Sequence, residues 1–315
     1  MTGTAILILA PLVGVVLVSY VVEALRAEPT PPERLAWAPD IPVRYVEVDG
    51  LRIRYIVAGE GPVLVLLHTL RTQLDMFQKV IPELARHFRV YAMDYPGHGY
   101  SDIPRTDYTA DFFVETVAGF LERLDIQQAA IVGESIGGTI GLLLAARGDP
   151  RVRSVVAINP YDYDRGRGLR RSSWLANLLF GLNDVPVLGA TFMRLRQFPI
   201  EKRVFEGGVK RKQSIPQPLL KEMYRVGERR GHLHAFMSLV RHWPGWEKAR
   251  EAYGRINRPV LLLYGESDWS RKAEREANAH AIPGAQMQVV PEAGHFLSLE
   301  APAEVIRVTR VLLTG

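Results

Sequence analysis

The chain of 315 residues contains no cysteine. Disulfides, a thiolate nucleophile and Cys-ligated zinc are excluded together, and the redox compartment stays open. Charge is missing from one long stretch: no side chain between Met1 and Val22 carries any. Over the whole chain 39 Lys and Arg stand against 34 Asp and Glu, a net of +5. That excess is modest, and no arginine-rich tract with interleaved aromatics accompanies it, so nucleic acid is not an expected partner. The sequence also lacks internal repeats, low-complexity blocks, a P-loop, an H-E-x-x-H motif and any carboxylate cluster of metal-ligand spacing. No metal and no other cofactor is called for.

What is present begins with the uncharged amino terminus. A helix over this run would reach about 30 Å, enough to cross the hydrocarbon core, and Pro11 and Gly14 are tolerable in such a helix. Residues 1–25 are therefore expected to form an uncleaved transmembrane anchor. A cleaved signal peptide ending near Ala27 is the competing reading, but it lacks a basic n-region. Arg26, Arg34 and Arg44 follow the run, and the positive-inside tendency then places the body in the cytoplasm. Residues 26–42, rich in proline, read as an extended linker.

Residues 43–315 carry the folded body. Val43–Val48 and Leu51–Val57 alternate about Asp49-Gly50, the pattern of a hairpin. Val63–Leu67 is a continuous apolar run fit for a strand buried on both faces. A helix over 74–87, a strand over 89–94, a helix over 110–124 and a strand over 128–132 follow. After a helix over 139–147 and a strand over 152–158, the rhythm breaks. Residues from about 160 to 250 form short helical pieces rich in Trp, Phe, Leu and Arg, expected to be an inserted helical cap. Strand and helix then alternate again to a closing helix over 301–313. Such alternation argues an α/β fold with a mostly parallel sheet covered on both faces.

The chemistry centres on Gly133-Glu134-Ser135-Ile136-Gly137, set between a strand and a helix. A serine there sits on a strained bend whose flanking glycines leave room for the neighbouring strand and helix. The Ile136 amide, at the helix N-terminus, faces a developing oxyanion. A serine hydroxyl needs a base held against it and oriented by a third group. His295, in Pro291-Glu292-Ala293-Gly294-His295-Phe296, follows a late strand at the carboxyl edge of the sheet. Asp268, in Tyr264-Gly265-Glu266-Ser267-Asp268, follows another. Glu266 lies near it, and Asp162 or Asp164 is the fallback acid.

The order Ser…Asp…His resembles the α/β-hydrolase superfamily over residues 43–315. The Gly133–Gly137 elbow, the loop Asp94-Tyr95-Pro96-Gly97-His98-Gly99-Tyr100-Ser101-Asp102 and the pair Gly294-His295 carry that resemblance. It implies the α/β-hydrolase fold, nucleophile Ser135, base His295, acid Asp268 and an oxyanion hole from the Ile136 and Leu70 amides. The family usually has His-Gly where this chain has His68-Thr69, which puts the geometry of that loop in question, with Arg71 or Thr72 as alternative donors. His68 and His98 read as structural. Family members that attack alkyl carbon use aspartate, so a serine at 135 favours acyl transfer. The expected activity is that of a membrane-anchored serine hydrolase acting on a carboxylic, lipid-like ester. Carbon–carbon bond hydrolysis, perhydrolysis and a non-catalytic ligand-binding role remain as alternatives.

Two features of the expected cap bear on the substrate. Trp174, Leu175, Leu178, Leu179, Phe180, Phe192, Phe198 and Phe205 are candidates to line an apolar acyl pocket. Arg165, Arg167, Arg170, Arg171, Arg194, Arg196, Lys202, Arg203, Lys210, Arg211 and Lys212 tilt it basic, either as a solvated face or as a surface for anionic headgroups.

Overall fold

The computed structural model describes residues 2–182, 185 and 187–314. Its strands are β1 (Arg34–Leu35), β2 (Ala38–Pro42), β3 (Arg44–Val48), β4 (Leu51–Ala58), β5 (Val63–Leu67), β6 (Arg89–Met93), β7 (Ala129–Glu134), β8 (Val152–Ile158), β9 (Val260–Gly265) and β10 (Gln286–Val290). Its helices begin with α1 (Thr2–Ala24), α2 (Ile81–Leu84), α3 (Ala110–Arg123) and α4 (Ile136–Ala146). Between β8 and β9 lie α5 (Trp174–Leu182), α6 (Leu188–Arg194), α7 (Phe198–Glu206), α8 (Gln217–Val226), α9 (His232–Arg241) and α10 (Trp243–Glu247). The chain ends with α11 (Lys272–Ala281), α12 (Leu297–Glu300) and α13 (Pro302–Thr314).

Eight of these strands form one sheet in the order β10-β9-β8-β7-β5-β6-β4-β3. From β10 to β6 all neighbours are parallel; β4 runs antiparallel to both β6 and β3. β5 explains why its sequence is apolar at every position. Leu64 and Leu66 join the core on one face, with Leu84 and Val305, while Val65 and Leu67 join the core on the other, with Phe113 and Ile140. A strand covered on both faces has no polar side. The sheet is thus the mostly parallel α/β-hydrolase sheet that the strand–helix alternation predicts.

The local differences have physical causes. The single helix expected over 74–87 is instead a 3₁₀ turn (Leu74–Phe77) followed by the four-residue α2. Pro82 has no amide to donate, so it is accommodated only in the first turn of a new helix. The helix after Ser135 begins at Ile136 rather than Thr139, with no intervening loop.

The expected linker is not free chain. β1 and β2 pair antiparallel within it, Leu35 is buried, and Trp37 Nε1 donates to Asp75 Oδ1 at 2.7 Å. A two-stranded ribbon with a buried side chain and a satisfied indole is fastened to the body, which an extended spacer would not be.

The run expected to span a membrane is α1. Among the described residues no helix is long and apolar enough to cross a membrane. Met1 lies outside those residues, and the described side chains of α1 begin at Ala10. They include exposed apolar groups (Val13, Leu17, Val18 and Val21). The end of the helix is bound to the rest of the protein: Arg196 Nη1 donates to Glu23 Oε2 at 2.7 Å, and Arg26 Nη1 to Glu228 Oε1 at 3.0 Å.

Candidate active site

The site is assembled at the carboxyl ends of β5, β7, β8, β9 and β10. At the end of β7, Ser135 has φ 59° and ψ −119°, a left-handed region that L-residues avoid. Two glycines permit the bend. A Cβ on Gly133 would lie 2.1 Å from the Gly137 carbonyl oxygen, and one on Gly137 would lie 2.1 Å from the Leu67 carbonyl oxygen. The Ile136 amide is the first of α4, and such amides have no intrahelical acceptor.

The loop after β5 shows why threonine can stand at position 69. The residue with positive φ here is Arg71, at 55°, not Thr69, so position 69 has no need of glycine. His68 Nε2 accepts the Tyr95 amide at 3.2 Å, so Nδ1 carries the proton and donates to the Thr69 carbonyl at 2.7 Å. Thr72 Oγ1 donates to the same carbonyl at 2.8 Å. Burial holds the His68 imidazole down at about 3, so it stays neutral. The Thr69 carbonyl and the Leu70 amide belong to one planar trans peptide. Pinning the oxygen therefore aims the Leu70 N–H the opposite way. Thr72→Val removes one of the two pins; with about 1 kcal/mol for such a bond, kcat is expected to fall roughly fivefold. Steady-state kinetics with an unchanged kcat would refute the role.

The expected acid and base are joined. His295 Nδ1 lies 2.5 Å from Asp268 Oδ1. The Ser270 amide donates to Asp268 Oδ2 at 2.9 Å, and its hydroxyl donates to the same oxygen. Burial alone would raise the Asp268 carboxyl; the adjoining imidazole and Ser270 outweigh it and hold the carboxyl below its ordinary value. His295 Nε2 and Ser135 Oγ are both buried without a hydrogen-bond partner. No hydrogen bond joins the two atoms in this structure. In unliganded sites that contact is commonly long and tightens with substrate.

The other acids go elsewhere. Asp162 accepts Tyr253 Oη at 2.6 Å and Asn278 Nδ2 at 2.8 Å, and burial pushes its carboxyl up to about 6. Asp164 pairs with Arg171 at 2.9 Å. Glu266 Oε2 accepts the Glu292 amide at 3.0 Å. His98 is buried beside His68 and Tyr95, and burial lowers its imidazole to about 3.

Several contacts to His295 have no counterpart in sequence reasoning. Trp269 stacks on its ring, with centroids 3.7 Å apart and planes at 13°. The His295 amide donates to the Gly208 carbonyl, from the segment after α7, at 2.7 Å. Asn159 Nδ2 donates to its carbonyl at 2.8 Å, while Asn159 Oδ1 accepts the Gly265 amide at 2.9 Å. Asn159 directly follows β8 with φ 44°; an asparagine just past a strand end was the available signal. Nothing local marks Gly208.

Glu134, inside the elbow, accepts the Ser298 amide at 3.2 Å and so ties Ser135's strand to the helix after His295. Burial raises its carboxyl from 4.5 to about 8, the Ser298 amide pulling the other way. A carboxyl with a raised folded pKa stabilises the fold below its unfolded pKa, and that contribution is lost as pH rises through the folded value. Thermal stability of the native chain should therefore fall between about pH 4.5 and 8 by more than that of Glu134→Gln, which stays neutral. Equal slopes in thermal melts of the two proteins would dismiss this assignment.

An apolar cavity of about 280 Å³ opens beside these groups, reaching Thr69, Leu70, Trp269 and Phe296. Of the expected lining residues, Leu179, Phe180, Phe192 and Phe205 face it. Leu175 and Phe198 do not, and Trp174 and Leu178 are exposed instead. Part of the expected basic face is paired with acids. Arg171 pairs with Glu274, Arg196 with Glu23, Lys202 and Lys212 with Glu206, and Lys210 with Glu292. Among the described residues no group of three or more His, Asp or Glu is placed to hold a metal ion.

Comparison with known proteins agrees with the fold. The alpha/beta hydrolase fold pattern matches residues 62–302. A haloalkane dehalogenase of Psychrobacter cryohalolentis is 29% identical over 303 residues, covering 88% of this chain and 95% of its own. A 2-hydroxymuconate semialdehyde hydrolase of a Pseudomonas species is 27% identical over 274 residues, covering 82% and 89%. The crystal structure of a bacterial membrane phospholipase A superposes with a TM-score of 0.72 at 21% identity, covering 99% of this chain and 94% of that one. On its fold, its site and these relatives, the chain belongs to the alpha/beta hydrolase fold family and is a hydrolase.

Proposed function

We propose that this hydrolase cleaves carboxylic esters through an acyl-enzyme on Ser135. The observation that carries this reading is the buried pair His295 Nδ1 and Asp268 Oδ1, 2.5 Å apart, which leaves His295 Nε2 as the imidazole's free base. In this reading Nε2 takes the Ser135 proton as Oγ attacks the ester carbonyl. The negative charge that forms on the carbonyl oxygen is met by the Ile136 and Leu70 amides. Collapse expels the alcohol, protonated by His295, and a water activated by the same nitrogen releases the acid.

The helical segment from about 160 to 250 acts as a cap, and the apolar cavity beneath it takes the acyl chain. The uncharged run of α1 and its exposed apolar side chains support attachment to a membrane, with the body on the cytoplasmic side. The membrane phospholipase A whose structure matches 99% of this chain favours a lipid-like ester. The muconate semialdehyde hydrolase relative favours, as a second reading, carbon–carbon bond hydrolysis on the same groups.

The test is product analysis with purified full-length chain, on a panel of vesicle-borne glycerolipids, soluble esters of graded acyl length and vinylogous diketones. Turnover of esters of at least eight carbons, well above that of the diketones, is expected. Cleavage confined to the diketones would replace the first reading with the second.

A further inference from the structure

The Leu70 amide is fixed on one side through the Thr69 carbonyl; the other side is held by charge. Arg71, with its left-handed backbone, donates from Nη2 to Glu201 Oε1 on α7. Its guanidinium also lies 4.7 Å from the ring centre of Phe236. Glu201 is shared: Arg196 Nε lies 3.9 Å from the same oxygen. Arg196 is fixed in turn by the Met193 carbonyl at 2.9 Å, the Gly227 carbonyl at 2.5 Å and Glu23 Oε2 at 2.7 Å. Glu23 stands in the last turn of α1, where Arg26 grips it at 3.0 Å and also donates to the Arg194 carbonyl at 2.9 Å.

These are not solvated surface pairs. The side chains of Arg71, Glu201, Arg196 and Glu23 are 13%, 7%, 5% and 22% exposed. With so little water to screen them, two guanidiniums compete for one carboxylate. Glu23 settles the competition, because it satisfies Arg196 and leaves Glu201 to Arg71. Without Glu23, Arg196 draws Glu201 towards itself and slackens the hold on Arg71. An arginine at positive φ returns towards its preferred region when released, and the change reaches Leu70 through the Leu70–Arg71 peptide.

We propose that Glu23, Arg196, Glu201 and Arg71 are positioning residues, a charge relay through which the end of α1 sets the Leu70 amide of the oxyanion hole. The inference rests on the reading of Ser135 and Leu70 given above. It makes α1 part of the catalytic apparatus, so a shift of that helix alters the rate without touching substrate.

The experiment measures kcat, KM and the affinity of an alkyl boronic acid, which forms a tetrahedral adduct on the serine, for the full-length chain. Glu201→Gln is expected to lower kcat about tenfold or more, leave KM within twofold and weaken the boronate by the same factor as kcat. Glu23→Gln should do the same to a smaller degree, roughly threefold. In the double variant Glu23→Gln adds nothing, because its effect passes through Glu201. Arg71→Lys keeps the charge but loses the fork, and it stands in for Glu201→Gln should that variant fail to fold. Factors that multiply in the double variant, a change confined to KM, or a lowered melting temperature with normal kcat would each overturn the relay. Those results leave the ester reading intact if Ser135→Ala is inactive; full turnover by Ser135→Ala would remove both.

Discussion

Ser135→Ala is expected to lower turnover by roughly 10⁴–10⁶-fold and to abolish labelling by a fluorophosphonate. His295→Ala should fall by a similar factor, and the double variant by no more than the larger single loss, because the two groups act as one unit. The structural basis is the pair of buried, unpartnered atoms, Ser135 Oγ and His295 Nε2, on segments that Glu134 joins through the Ser298 amide. Alanine at 135 leaves the bend, the cavity and the amide donors in place, so substrate binding should change little. A fall of tenfold or less would count decisively against nucleophilic catalysis at this position. Labelling that persists in the variant would do the same.

Asp268→Asn is expected to lower kcat by about 10⁴-fold with little effect on folding. The carboxylate accepts the Nδ1 proton of His295 and is itself held by the amide and hydroxyl of Ser270. An asparagine of the same shape can turn its amino group towards Nδ1, which forces the proton onto Nε2 and removes the free base. Trp269, stacked on the imidazole, keeps the ring in place, so the loss should lie in kcat and not in KM. Asp162→Asn is the comparison. Its carboxyl bonds Tyr253 and Asn278 rather than His295, and its replacement should alter the melting temperature more than the rate. If Asp162→Asn costs the greater share of kcat, the acid has been misassigned.

Much of the fold was legible because burial writes itself into composition. Val63–Leu67 is apolar at every position since the two cores take alternate side chains from it. The helix expected over 74–87 is divided because Pro82 has no amide to donate. The residues after β8 were legible only as a change of rhythm. Which aromatics face the cavity depends on how short helices turn, so Phe192 and Phe205 could not be told from Trp174 and Leu178. The basic character of that segment has the same limit, since Arg171, Arg196 and Lys210 meet Glu274, Glu23 and Glu292, acids distant in the chain.

Two glycines flanking a serine, a strand before it and a helix after it, and an acid and a histidine each following a late strand determined the family and the candidate residues. Those features are local: steric exclusion at Gly133 and Gly137 and the periodicity of burial act over a few residues, and sequence records them directly. The direction of the Leu70 amide was decided only in three dimensions, by His68 and Thr72 on the Thr69 carbonyl and by Glu201 on Arg71. The same holds for the Gly208 carbonyl beneath His295 and for the docking of α1 through Glu23. Hydrogen bonds and ion pairs between groups far apart along the chain depend on distances that folding alone creates, and no pattern of residue types encodes them.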